Sequence, residues 1–154
     1  MLVFTNSGFS QNLKVKIETK LTQADSVLIV SHEATRGESF LDKKIPTLLE
    51  NKKLNYKLVH EKSKLSKEDI DSLIQIFRSL SDTIAPREDR GCFNLHHAIV
   101  IFENQTVSFI DLSFECENFL SSSDLDVKNN IISFETWTKL KTLFLTKKVQ
   151  YLLK

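Results

Sequence analysis

Two apolar runs on either side of a short polar turn constrain the fold of this 154-residue chain more than any other feature. Residues 98–102 read Ala-Ile-Val-Ile-Phe, Asn104 and Gln105 follow shortly after, and residues 107–114 return as a second apolar-rich run. Runs rich in β-branched and aromatic residues that flank a turn are typical of a β-hairpin. The sequence therefore predicts two antiparallel strands, near residues 96–103 and 106–114.

The length of the turn decides which side chains meet, because a slip of one residue moves a strand's side chains to the other face. With a two-residue turn, Glu103 pairs with Thr106, and His97 lies on an apolar face. The opposite face then carries a polar cluster formed by His96, Asp111, Ser113 and Glu115. Histidine and carboxylate groups suit both metal binding and general base catalysis, so this register predicts a site of that kind.

A turn that is longer by one residue predicts a different site. Phe102 then pairs with Thr106, and Cys92 directly faces Cys116, which allows a cross-strand disulfide. Cys92, His96 and Cys116 could also approach the geometry of zinc ligands, although no fourth ligand is evident. Two buried cysteines without a bond are the commonest outcome for such a pair. The Asn-Gln turn is a weaker signal than Asn-Gly, so both registers stay open.

The remaining strand signals come earlier in the chain. Residues 13–21 alternate between apolar and charged side chains, which predicts a half-buried strand. Residues 26–32 form a short apolar run, which predicts a second strand, and residues 54–60 show a weaker alternation. Pro46 limits residues 45–50 to a short helix at most.

Two segments carry helix signals. Ser66 can cap a helix whose apolar stripe runs from Ile70 to Leu80. Ser133 can cap a final helix with an apolar face formed by Phe134, Trp137, Leu140 and Phe144. Residues 33–39, 82–91 and 118–130 are predicted loops, the second of them mobile. We expect one α+β domain over residues 1–154, with an antiparallel sheet of about five strands and two main helices packed on one face.

Charge and hydropathy narrow the class of partner. The net charge is +1, which argues against nucleic acid, and no apolar run is long enough for a membrane span. Locally, residues 43–64 hold seven lysines and two glutamates, whereas residues 103–126 hold six acids and no Lys or Arg. These segments are either solvated faces or patches for an oppositely charged protein. The N-terminus lacks a leader pattern, so we expect a cytoplasmic protein, unless a leader was removed.

The sequence contains no Gly-rich phosphate loop, no paired CxxC and no HExxH, and Ser113 lacks the flanking glycines of a nucleophile elbow. We therefore expect no catalytic residue and no cofactor, and a non-catalytic protein-binding or accessory module, for example of the toxin-neutralising immunity type. Another protein is the expected partner. One alternative is a metal-binding or thiol-redox protein that uses Cys92, His96 and Cys116. Another is a hydrolase that uses His96 with Asp111.

The segment from Cys92 to Cys116 resembles a group of small uncharacterised bacterial proteins. Their pattern is matched at six positions: Cys92, Phe93, Ala98, Ile99, Phe114 and Cys116. The chain departs from it where Leu95 replaces a proline, His96 an arginine and Ser113 a cysteine. The group has no assigned activity, so the resemblance implies no catalytic residue.

Overall fold

The computed structural model describes residues 8–33, 47–80, 94–125 and 133–153, with the backbone alone for residues 8–14. These residues form an α+β fold with an antiparallel sheet, as the sequence predicts. In chain order the elements are α1 (Gly8–Gln23), β1 (Ser26–His32), β2 (Leu49–Glu50), β3 (Lys53–Leu54), a 3-10 turn (Tyr56–Leu58), β4 (Val59–Lys64), α2 (Lys67–Arg78), β5 (His97–Glu103), β6 (Thr106–Ser113), β7 (Asn118–Ser121) and α3 (Phe134–Thr146).

The main sheet has five strands in the order β4-β1-β5-β6-β7, and every neighbouring pair is antiparallel. Glu103 pairs with Thr106, which confirms the two-residue turn and rules out the longer one. Asn104 and Gln105 have φ values of 45° and 68°, so both lie in the left-handed region. A turn with two left-handed residues matches the twist of the flanking strands and therefore fixes this register.

The main core lies between one face of this sheet and the three helices. Val27 and Ile29 of β1 and Ile99 of β5 point to this face, and each is fully buried. Side chains of the helices close the core from the other side; they include Ile17, Leu21, Leu73, Phe77, Leu140 and Phe144. The expected packing of helices on one face is correct, but the structure has three helices on that face where we expected two.

Helix α1 corrects the strand that the alternation over residues 13–21 predicts. Ile17 and Leu21 are buried four residues apart, as on one side of a helix, whereas Val15 is 60% exposed. A strand would have placed Val15 and Ile17 on the same face. Residues 13–21 also hold three lysines and two leucines, which are strong helix formers, so local propensity favours a helix as well.

A small hairpin of β2 and β3 covers part of the second sheet face. Leu48 and Leu54 from this hairpin pack against Val30, Ala98 and Val100 of the main sheet. The strand expected over residues 54–60 is therefore interrupted, because the chain makes a 3-10 turn before β4 begins. The short helix expected over residues 45–50 is replaced by β2 at its described end, and residues 45 and 46 lie outside the described residues.

The two predicted helices are confirmed. Ser66 and Asp69 form a reciprocal capping box at the start of α2, and the Ser133 hydroxyl caps α3. One residue of the apolar face predicted for α3 is not buried: Phe134 occupies the first helical position and is 77% exposed.

Two predicted loops fall largely outside the described residues, namely 33–39 beyond Glu33 and 82–91. The predicted loop over residues 118–130 begins instead with strand β7. Across the part of the chain that the structure describes, no helix combines the length and apolar character needed to cross a membrane.

Candidate functional site

Antiparallel pairing brings the polar residues of several strands together at one end of the sheet, here called the sheet end. Strand β1 ends there at His32, β5 begins there at His97, and β6 ends there at Ser113. His96 directly precedes β5, and His60 lies at the start of β4. The four histidines of the chain therefore gather at the sheet end.

His32 and Asp111 form a buried pair across the sheet. Their side chains are 0% and 2% exposed, and His32 Nε2 lies 2.8 Å from Asp111 Oδ1. The two residues are on β1 and β6, so the contact crosses β5. Ala98 of β5 pairs with both Val30 and Asp111, and its small side chain leaves room for the imidazole to reach across.

Both ring nitrogens of His32 face acceptors. Nδ1 lies 2.6 Å from the backbone oxygen of Glu33, and a carbonyl oxygen can only accept. Burial lowers the pKa of His32, but the hydrogen bond and charge of Asp111 outweigh this effect, so the pKa is raised. The two acceptors and the raised pKa both favour the imidazolium form, in which neither nitrogen offers a lone pair to a proton or a metal ion.

Glu61 of β4 is a second anchor at the sheet end, and its side chain is half-buried. Its Oε2 accepts hydrogen bonds from the Ser31 hydroxyl at 3.0 Å and from the backbone N–H groups of Gln150 and Tyr151 at 2.6 and 2.7 Å. Burial opposes ionisation of Glu61, but the N–H groups of Tyr151 and Gln150 outweigh it, so the pKa of Glu61 is lowered. Glu61 therefore fastens the turn that follows α3 to the sheet, and Ser31 is its hydrogen-bond donor.

A bulge in β4 places His60 beside the same turn. Ser31 pairs with Glu61 and His32 pairs with Val59, so His60 is the extra residue. Its ring stacks on Tyr151 with a centroid separation of 4.0 Å. His60 Nε2 also lies 2.8 Å from a side-chain oxygen of Glu33.

His97 is buried on the helix face of the sheet. Its ring packs edge-on against Phe114 and Phe144, with centroids 5.2 and 5.6 Å away. Nε2 has no hydrogen-bond partner among the described residues. Burial, together with a smaller effect of the charge on His32, lowers the pKa of His97 to about 4. His97 is therefore neutral at pH 7.

The predicted polar cluster is only partly assembled. In the confirmed register His96, Asp111 and Ser113 do lie on one face of the sheet. However, the histidine that contacts Asp111 is His32, and His96 Nδ1 instead lies 3.2 Å from the backbone oxygen of His32. The structure therefore replaces the His96–Asp111 pair that the hydrolase hypothesis requires with a His32–Asp111 pair.

The other two members of the predicted cluster have local partners. The Ser113 hydroxyl accepts a hydrogen bond from the backbone N–H of Cys116 at 3.2 Å. Glu115 lies in the turn after β6, where its carboxylate accepts from the Asn94 side chain at 3.2 Å. Ser113 thus stabilises the turn, whereas Glu115 is exposed at its surface.

Cys116 is disulfide-bonded, so the expectation of a free buried thiol is wrong for this residue. It lies in the turn between β6 and β7, beyond the paired part of the hairpin, so the bond does not need the longer register. Cys92, the other cysteine of the chain, lies outside the described residues.

A disulfide sulfur is not a thiolate, so the metal site proposed for Cys92, His96 and Cys116 would require a reduced protein. Among the residues that the structure describes, no group of three or more His, Cys, Asp or Glu side chains is placed to share a metal ion.

The sequence reasoning missed His32 and Glu61. His32 ends an otherwise apolar strand, and alternation places it on the same face as Val30. This position was the available signal that His32 is buried. Its partner Asp111 lies two strands away, and only the strand order reveals that distance. Glu61 carried no signal, because its donors come from the far end of the chain.

A pocket of about 210 Å³ opens at the sheet end. Polar and apolar side chains both line it: Asn94, His96, His97, Phe114, Glu115 and Leu152.

The fold and site define an α+β protein with three helices on one face of a five-stranded antiparallel sheet and a buried His–Asp ion pair at the end of that sheet. Comparisons with protein-family models, with curated proteins and with solved structures found no match.

Proposed function

We propose that the protein is a non-catalytic protein-binding module that docks an acidic segment of another protein. The docking site is the hairpin surface, formed by Lys53, Tyr56, Lys57 and Lys62. One observation carries the proposal: Tyr56 is 54% exposed, and the Lys62 ammonium lies 4.9 Å above its ring. Exposed tyrosines are enriched in protein interfaces because they offer a large apolar surface and a polar tip at little entropic cost.

The surroundings of Tyr56 favour an acidic partner. An open groove of about 550 Å³ runs along the small hairpin, and Lys53 and Lys57 line it together with Tyr56 and one carboxylate, that of Glu50. Two further lysines, Lys62 and Lys64, are exposed on the edge strand β4. A concentration of one charge on an exposed surface accelerates association with the opposite charge.

The sheet end supports a structural role for the groups that most resemble a catalytic site. His32 has both ring nitrogens bonded to acceptors, and the Ser31 hydroxyl donates to Glu61 rather than to a base. Neither side chain is exposed to solvent. A buried histidine between two acceptors joins strands, whereas a general base must reach a substrate.

The disulfide at Cys116 bears on the compartment. Disulfides persist in oxidising compartments and are rare where thiols are kept reduced. We therefore place the protein in an oxidising compartment rather than in the cytoplasm. We also propose that the protein is bacterial and that it is a module of the toxin-neutralising immunity type.

A photo-cross-linking experiment tests the docking site. Benzoylphenylalanine in place of Tyr56 should give a discrete adduct with one protein in cells of the source organism. The same group in place of Phe134, which is also exposed but lies on the helical side, should give none. The adduct peptide should be rich in Asp and Glu.

A charge-reversal pair supplies the matched control. Replacing Lys53, Lys57 and Lys62 by Glu should abolish the Tyr56 adduct. The same change at Lys16, Lys67 and Lys148, which are exposed elsewhere, should preserve it. Equal adducts from both labelled positions, or a purified protein that turns over a substrate while no adduct forms, would contradict the proposal.

The disulfide supports one alternative, a thiol-redox protein. Its reduction potential distinguishes the two roles: a structural disulfide lies below about −300 mV, and redox-active ones lie at about −270 to −120 mV. Equilibration with glutathione buffers measures this potential. The binding-module proposal expects the lower value.

A further inference from the structure

We propose that the pocket at the sheet end binds an alkylammonium or alkylguanidinium group, with the cation against Glu115 and His96 and the alkyl chain against Phe114 and Leu152. This binding site is separate from the hairpin surface and shares no lining residue with it. The proposal therefore does not depend on the docking of an acidic partner.

The hydrogen bonds already made at the pocket leave acceptors facing it. His96 donates through Nδ1 to the backbone oxygen of His32, so in the singly protonated ring Nε2 is the acceptor. The Asn94 side chain donates through Nδ2 to Glu115, so its Oδ1 is an acceptor as well. The Glu115 carboxylate can only accept. A ligand for these three groups must supply hydrogen-bond donors.

The charge at the pocket favours a ligand whose hydrogen-bond donor is also a cation. Among the described residues, those that line it include one carboxylate, that of Glu115, and no Lys or Arg. Within the described part of the chain, the polar partner of Glu115 is the neutral amide of Asn94. A carboxylate at the edge of a partly enclosed pocket attracts a positive group more strongly than one on an open surface.

The apolar wall of the pocket matches a short alkyl chain. Leu152 is 50% exposed and has a φ of 54°, a left-handed conformation that is uncommon for a leucine. The two N–H groups that Glu61 binds, those of Gln150 and Tyr151, hold the turn that carries it. Phe114 closes the pocket from the sheet. The pocket would hold about seven water molecules, which is enough for a chain of about four carbons and its charged head.

NMR titration of the whole protein with n-butylammonium tests the site. The side-chain signals of His96, Glu115 and Leu152 should shift together and saturate, with a Kd of the order of 1 mM for so small a ligand. The neutral isostere n-butanol should bind at least about fivefold more weakly, because it lacks the charge. Equal affinity for the two probes, or shifts that do not saturate, would overturn the proposal.

Paired variants locate the cation. Glu115→Gln should weaken n-butylammonium binding by up to about fivefold, the range expected for an exposed ion pair. Glu50→Gln, an equal change of charge at an exposed position away from the pocket, should leave the affinity unchanged. An equal affinity of wild type and Glu115→Gln would contradict the role of this carboxylate.

A second variant tests the apolar wall and guards against loss of folding. Leu152→Ala should weaken n-butylammonium binding but leave methylammonium binding unchanged, because only the longer chain reaches the wall. An equal loss for both probes would count against the alkyl site.

The alkylammonium group could belong to a lysine side chain of another protein or to a small-molecule amine. A capped tripeptide with a central lysine distinguishes these two sources. Binding at least as tight as that of n-butylammonium identifies a protein side chain as the ligand. Binding of the free amine alone identifies a small molecule.

Discussion

At the scale of single residues, His32 shows how a histidine and an aspartate can form a structural pair. The ring lies between a carbonyl oxygen and a carboxylate, so its charged form is the stable one in the fold. Because the pKa of His32 is higher in the folded state, protonated His32 stabilises the fold. This contribution is fully present at pH values below 6.5, the pKa of the unfolded state. This contribution is lost as the pH rises through the pKa of the folded state.

Asp111→Ala removes the carboxylate and leaves the His32 charge buried. The free energy of unfolding should fall by about 3–5 kcal/mol, as for other buried pairs that lose one partner. Urea unfolding measures it, and a double-mutant cycle with His32→Ala should show coupling between the two sites. Asp71→Ala, at an exposed position of α2, should change stability by less than about 0.5 kcal/mol. Similar losses for both aspartates would contradict the account.

His97 has the opposite pH dependence. Its pKa is lowered from 6.5 to about 4, so its neutral form stabilises the fold above pH 6.5, and this stabilisation is lost as the pH falls toward 4. Over that interval the wild type should lose about 3 kcal/mol more than His97→Phe, which does not titrate. Urea unfolding across the pH range gives the difference. A parallel pH dependence of the two proteins would mean that His97 is charged in the fold.

Residue-scale prediction succeeded in part where the residues belong to one hairpin. One of the two registers that the sequence left open placed His96, Asp111 and Ser113 on one face, and the structure adopts that register. The hairpin sequence alone could not identify His32 as the partner of Asp111, because that pairing depends on β1 lying next to β5. Long-range strand order is not encoded in local periodicity.

At the scale of elements, the turn between β5 and β6 determines the arrangement of the sheet end. Both of its residues are left-handed, and Gln105 bears a side chain in a conformation that glycine adopts without penalty. A longer turn would have moved one strand's side chains to the opposite face.

Gln105→Gly should therefore raise the free energy of unfolding by about 1 kcal/mol, because glycine relieves the left-handed strain. Thermal or urea unfolding measures the gain. Gln105→Ala serves as the control and should give no gain, since alanine keeps the Cβ that causes the strain. A destabilising effect of the glycine would indicate that Gln105 makes a stabilising contact.

Element-scale prediction depended on local signals. The capped helices α2 and α3 and the central hairpin each carry a cap or a turn within the segment, and all three were predicted. Helix α1 was not, because its alternating apolar residues fit a strand and a helix equally well. Packing of Ile17 and Leu21 against the other helices and the sheet decides between them.

At the scale of the whole molecule, the disulfide links the turn after β6 to another part of the chain. Since the sequence contains two cysteines, peptide mapping without reductant should find Cys92 joined to Cys116. Cys116→Ser should lower the free energy of unfolding by about 2–4 kcal/mol, because the closed loop restricts the unfolded chain. Reduced wild type should match the variant. A reduced protein as stable as the oxidised one would contradict a structural role.

The helical core, the hairpin surface and the sheet end have different roles in this account. The core provides stability, the hairpin surface and the pocket are the two proposed binding sites, and we propose a purely structural role for the buried His32–Asp111 pair, which joins β1 to β6. This last assignment separates a binding module from a hydrolase.

The most direct test of that assignment is a long-range proton–nitrogen NMR spectrum of the protein with ¹⁵N-labelled histidine at pH 7. Both ring nitrogens of His32 should be protonated, and their protons should exchange slowly with water. A His32 ring with one unprotonated nitrogen would contradict the assignment, since that nitrogen could act as a base.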